Sequence, residues 1–97
     1  MSQIIESGEQ WQIAGAMTVD MVEALLIESE SLQNKDSQQI DLSSVTDVDT
    51  ATISLMLEWI RRAKARGGKV IFVNLPESLL SLVNLYEVST LIQHIKR

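Results

Sequence analysis

A chain of 97 residues has room for one hydrophobic core, so a single domain over 1–97 is expected, and an apolar content of 45% is ample to fill it. Thirteen acidic against eight basic residues leave a net charge of -5, a field that repels phosphate backbones and argues against nucleic acid as a partner. The absence of cysteine excludes disulfides, thiolate nucleophiles and thiolate metal sites.

Taken in chain order, Gln3 to Glu6 suggests a short strand. Trp11 to Ala14 alternates large apolar and polar side chains up to Gly15, the pattern of a half-buried strand closed by a turn. The N-terminal stretch Met1 to Gln10 is polar and carries two glutamates, unlike a signal peptide, and no apolar run approaches the ~20 residues that span a bilayer. A cytoplasmic protein without direct membrane insertion is the expectation. From Thr18, which can cap, the period becomes helical: Val22, Leu25, Leu26 and Ser29 share a face, and the helix should run to about Leu32. Gln33 to Gln38 reads as a loop, and Gln39 to Leu42 as a short buried strand leading into the segment Ser43 to Thr52. A second helix from Thr50 to Arg66 has Asp49 to cap it and Gly67-Gly68 to stop it. Lys69 to Val73 is rich in β-branched residues and reads as a strand. Pro76 opens a third helix, with Leu79, Leu82, Val83 and Tyr86 on one side. Thr90 to Ile95 fits either a last strand or a helical turn. Strands alternating with helices give an α/β fold with a mixed or mostly parallel sheet.

Chemistry concentrates in Ile40 to Thr50, where Asp41, Asp47 and Asp49 stand among Ser43, Ser44, Thr46 and Thr50 before a helix N-terminus. Strand-to-helix connections of this kind usually hold the ligands of α/β folds. Asp47-Val48-Asp49 matches the spacing of a magnesium-dependent phosphatase with a nucleophilic carboxylate, but such an enzyme needs an additional lysine, further acidic ligands and a cap that 97 residues hardly supply. Nucleotide binding needs a glycine to admit a phosphate to the backbone; the loop has none, and its aspartates repel one. The third reading makes Asp49 an N-cap, Asp41 and Asp47 solvating groups, and Thr50 an exposed hydroxyl. That hydroxyl could act as a switch, since a phosphate there adds about two charges beside Asp49.

Elsewhere the inventory is poor in catalytic groups. His94, the single histidine, has no carboxylate near it in sequence and reads as a surface or edge residue, while Met17, Met21 and Met56 read as core filler. Arg61, Arg62, Lys64, Arg66 and Lys69 collect where a helix ends, the place where cations meet the macrodipole favourably. No catalytic group, metal site or cofactor is expected. In the second helix Ile53, Met56, Leu57, Ile60 and Ala63 form one apolar stripe, and Thr52, Leu55 and Trp59 form a second pointing roughly the opposite way, with Arg62 one turn on. Leu80 and Leu85 lie beyond the core stripe of the third helix. The second stripe is either covered by another helix or left exposed as interface anchors.

The run Ile40-Asp41-Leu42-Ser43-Ser44-Val45, then Val48-Asp49-Thr50, a long helix, Gly67-Gly68 and Lys69-Val70-Ile71-Phe72-Val73 resembles the STAS domain family over nearly the whole chain. The resemblance implies a mixed β-sheet with helices packed on it, as in anti-sigma-factor antagonists. In those antagonists the hydroxyl matching Thr50 is phosphorylated, which makes Thr50 a possible phosphoacceptor. Antagonists continue with a small residue and glycine where this chain has Ala51-Thr52. Together with Leu82-Val83-Asn84-Leu85-Tyr86, that departure is more similar to the STAS subunits of Mla-type ABC phospholipid transporters in Gram-negative bacteria. The likeness implies a non-catalytic cytoplasmic subunit bound to an MlaF-like ATPase and, through it, to an MlaE-like permease, serving outer-membrane lipid asymmetry. By the same resemblance Thr50, Thr52, Leu55, Trp59 and Tyr86 are the partner-binding residues.

Overall fold

A computed structural model describes residues 2–7, 10–30, 37–86 and 94–95. Strands β1 (Gln3–Ser7), β2 (Gln10–Met17), β3 (Ser37–Val48), β4 (Lys69–Val73) and β5 (His94–Ile95) form one sheet, with helices α1 (Val19–Glu30), α2 (Thr50–Ala65) and α3 (Glu77–Leu85) between them. The strands lie in chain order; β1 is antiparallel to β2 and every later pair is parallel. Each parallel step moves one place in the same direction, so right-handed crossovers bring all three helices to one face of the sheet. That face carries the core: Trp11, Ile13 and Met17 of β2, Ile40 and Leu42 of β3, and Val70 and Phe72 of β4 are buried there. Side chains of the opposite parity are mostly polar and, Val73 apart, partly or fully exposed, and among them Gln12 Nε2 donates to Ser44 Oγ at 3.1 Å.

The largest departure from the sequence reading is β3, which continues through Val48 where a loop was expected after Leu42. Two irregularities explain the miss. While β2 advances from Gln12 to Ala14, β3 advances from Asp41 to Ser44, and from Gly15 to Ala16 it advances from Val45 to Asp47. Each extra residue on β3 breaks the period-2 alternation from which a strand is read. Gly15, expected to end β2, lies inside it at φ 95, beside the second irregularity. Gln38, assigned to a loop, is a buried β3 residue whose Nε2 donates to the Gln39 carbonyl at 3.0 Å.

Helix boundaries follow the expected chemistry more closely. In α1, Leu25 and Ser29 are buried and Val22 and Leu26 pack against the core; the expected end at Leu32 lies outside the described residues. The end of α2 is a Schellman motif: Gly67 at φ 80 donates its N–H to the Lys64 carbonyl at 3.0 Å, and Gly68 donates to that of Ala63 at 2.8 Å. Met17 and Met56 are fully buried and Met21 packs on the core. His94 and Ile95 pair with Phe72 and Val73 as the last strand, while 90–93, where that element was expected to begin, lie outside the described residues. Among the described residues no helix is long and apolar enough to cross a membrane.

Candidate functional site

The site is built where β3 hands the chain to α2. Asp49 has an extended backbone and starts the helix: its Oδ1 accepts the Ala51 N–H at 2.9 Å, and its own N–H donates to Thr52 Oγ1 at 3.0 Å, one half of the capping box it forms with Thr52. The other oxygen, Oδ2, accepts the N–H of Val19, the first residue of α1, at 3.1 Å. One carboxylate thus serves the starts of two helices, where both macrodipoles favour its negative charge. The helix start thereby gives the expected cap, and it goes further than the sequence signal, which had nothing to link Asp49 to Val19 across 30 residues.

Thr52 completes this junction from below. It is 0% exposed, and its hydroxyl, while accepting from Asp49, donates to the Met17 carbonyl at 2.6 Å. A strand end and a helix start are therefore joined through one buried oxygen. The neighbouring acidic side chains are also engaged: Asp41 Oδ1 accepts from the Ser43 N–H at 2.8 Å and from Asn74 Nδ2 at 3.2 Å, and Asp47 Oδ2 accepts from Thr46 Oγ1 at 3.1 Å. The paired-aspartate phosphatase reading required Asp47 and Asp49 to share an open site. Instead Asp49 is committed to two backbone amides. Among the described residues no group of three or more acidic or histidine side chains is placed to hold a metal ion.

Of the expected partner-binding residues, the structure brings two together at the surface. Thr50 is exposed at the first turn of α2, and Tyr86, 50% exposed at the end of α3, lines the same shallow depression of about 290 Å³ with Ile53 and Ser54. Leu85 beside Tyr86 is 70% exposed, and Val19 is 67% exposed next to the Asp49 junction. Sequence reasoning missed Val19 and Ser54, because neither belongs to an apolar stripe that periodicity would single out.

Thr52, Leu55 and Trp59 do not form an exposed face. They are 0%, 1% and 3% exposed, and this second stripe of α2 is core. The physical reason is that α2 packs against α1 and α3 as well as the sheet, so a far wider arc of it is buried than one stripe. Trp59 shows this most directly: its Nε1 donates to Ser29 Oγ of α1 at 3.0 Å, and its ring meets Trp11 edge-on at 6.0 Å between centroids. Truncating Leu55 to alanine would cost about 2–5 kcal/mol of stability, the range for a filled core site.

The basic residues at the other end of α2 are partly neutralised. Glu58 accepts from Arg61 Nε and Nη2 at 2.9 and 2.7 Å and from Arg62 Nε at 2.9 Å, and Arg62 also lies 3.5 Å from Glu30. Hydrogen bonds from Arg61, then Arg62, hold the Glu58 carboxyl at a pKa of about 2.

The family model described as Mlab, STAS domain, matches residues 6–93. The chain belongs to this STAS family. No curated protein sequence matches it. Solved structures agree on the fold: the unphosphorylated form of the anti-sigma factor antagonist SpoIIAA is 13% identical at a TM-score of 0.66, covering 100% of this chain and 89% of that one. The phosphorylated form of the Bacillus cell fate determinant SpoIIAA is 14% identical at a TM-score of 0.70, covering 100% and 91%. The STAS fold and the likeness to MlaB expected from the sequence are both borne out. STAS domains are in general non-catalytic regulatory domains, and the MlaB-like family label suggests a partner from an Mla system.

Proposed function

We propose that this chain is a non-catalytic cytoplasmic subunit that docks on an MlaF-like ATPase of an ABC phospholipid transporter, and through it associates with an MlaE-like permease at the inner membrane. The process served is the maintenance of outer-membrane lipid asymmetry. The observation that carries the reading is the meeting of exposed Thr50 with half-exposed Tyr86 in one depression, on a chain whose family is MlaB-like. Ile53 lines the same depression, so an aromatic and an aliphatic side chain stand beside a hydroxyl, a composition suited to an interface core. Thr52, Leu55 and Trp59 are buried in the core and lie outside this surface.

Affinity purification of the tagged protein from its host, followed by mass spectrometry, should recover an ABC ATPase with a permease. Thr50→Glu should then weaken binding to that purified ATPase by about 3 kcal/mol, on the order of 100-fold, because the interface would desolvate an unpaired carboxylate. Thr50→Ser should bind normally. Equal affinity of Thr50→Glu and the unaltered protein would remove Thr50 from the docking face. A second reading, an antagonist switched by phosphorylation of Thr50, draws support from the exposure of this hydroxyl at a helix start. Recovery of a serine kinase instead of an ATPase, with phosphate transfer to Thr50 when ATP is supplied, would favour that alternative.

A further inference from the structure

A second cleft lies toward the opposite end of α2, where its lining residues Trp59 to Arg66 stand roughly 14–24 Å from Thr50 at a helical rise of about 1.5 Å per residue. Its volume is about 380 Å³, within the size range of small-molecule sites. Trp11 of β2, Gln38 of β3, Ser29 of α1 and Trp59 of α2 line it, and Arg62 and Arg66 stand among them. The proposed docking face uses none of these residues.

Three features separate this cleft from an ordinary groove between helix and sheet. Its polar lining includes Gln38 and Ser29, which are buried at 1% and 3% exposure, so polar groups have been placed where packing alone would favour apolar ones. Trp11 is 4% exposed, and its Nε1–H is buried with no hydrogen-bond acceptor among the described residues, whereas the equivalent group of Trp59 is bonded to Ser29. A buried donor without an acceptor is destabilising, and an incoming oxygen relieves it. The charges are also unequal: Arg62 is paired with Glu58 and with the cleft residue Glu30, while Arg66 has no ion pair among the described residues. The cleft thus leaves the Trp11 donor unanswered among the described residues and offers one guanidinium without an ion pair beside two indole rings, while Glu30, the carboxylate in its lining, is engaged by Arg62.

We propose that this cleft binds a small organic anion, with its apolar or planar body against Trp11 and Trp59 and its oxygens taken by Arg66 and the Trp11 indole N–H. Carboxylates and phosphate monoesters share that chemistry. Because the indole nitrogen is covered in the unliganded arrangement, reaching it requires a small shift of the Trp11 ring or its neighbours.

The chain has two tryptophans, both in the cleft, so its indole N–H signals report on this site alone. The experiment titrates the ¹⁵N-labelled full chain with benzoate, phenyl phosphate and, as the neutral control, benzyl alcohol, following both indole cross-peaks by NMR. A saturable downfield shift of the Trp11 signal is expected, with a Kd on the order of 1 mM for probes of this size. Arg66→Gln, a change at an exposed helix-end residue, should weaken binding about tenfold. Response to both anions supports the shared chemistry, and response to one alone identifies a carboxylate or a phosphate site. Three results would each overturn the proposal: neither indole moves, benzyl alcohol binds as well as benzoate, or Arg66→Gln leaves the affinity unchanged. Trp11→Phe, which keeps a ring and removes the donor, should weaken the same titration when followed by Trp59 fluorescence.

Discussion

The two ends of α2 solve opposite problems. At its start, Asp49 and Thr52 distribute their oxygens over Ala51, Val19 and Met17, so the capping groups are satisfied internally while Thr50 faces outward. Near its end the helix borders a cleft in which Trp11 keeps an unanswered N–H and Arg66 an unpaired charge among the described residues. The first end is rigidly closed and can present a fixed surface to a protein; the second has bonding capacity left over for something smaller. Satisfied buried networks define one geometry, whereas leftover polar groups are where ligands are recognised.

The strongest way to break that contrast is to open the closed end. Thr52→Val preserves shape but strands the Met17 carbonyl and the Asp49 N–H, and should lower unfolding stability by about 3 kcal/mol in urea denaturation. Thr52→Ser keeps the oxygen and should lose only about 1 kcal/mol for the missing methyl. Asp49→Ala comes next, at about 2 kcal/mol, since it removes one cap and the tie to α1. Hydrogen exchange should show the Val19 and Ala51 amides losing protection together in this variant. Loss at Ala51 alone would mean that the carboxylate does not join the two helices.

The smallest effect belongs to the other end. The folded-state pKa of Glu58, about 2, lies below its ordinary 4.5, so the contribution of its carboxylate is complete above pH 4.5 and fades as the pH falls toward 2. Solvent screening keeps this contribution small. Glu58→Gln should leave a shallower fall in melting temperature across that acid range and little change at pH 7. A steeper fall in the variant would reverse the assigned sign.

Much of this arrangement was legible in the chain. Helix signals were local and strong: Asp49 before Thr50, Gly67-Gly68 after Arg66, and Pro76 before α3 each carry their own chemistry. The strand β3 was harder, because its first extra residue puts Val45 out of phase with Ile40 and Leu42 and the second reverses the phase again before Val48. Burial of Thr52, Leu55 and Trp59 was harder still. Periodicity locates an apolar stripe but does not say how many neighbours a helix has, and the cover over Trp59 comes from Ser29, on a different helix. Thr50 and Tyr86 were nominated through family likeness, and their meeting depends on where α3 packs, which no local pattern encodes.

The agreement between strand order and chain order has a consequence for how the molecule is made. Each strand hydrogen-bonds to the one before it in the chain, so no later segment has to slip between two neighbours already zipped together. The sheet can grow outward by accretion as successive strand–helix units leave the ribosome, and each new unit finds its template finished. Such sequence-local topologies keep contact order low for a parallel sheet and favour fast assembly.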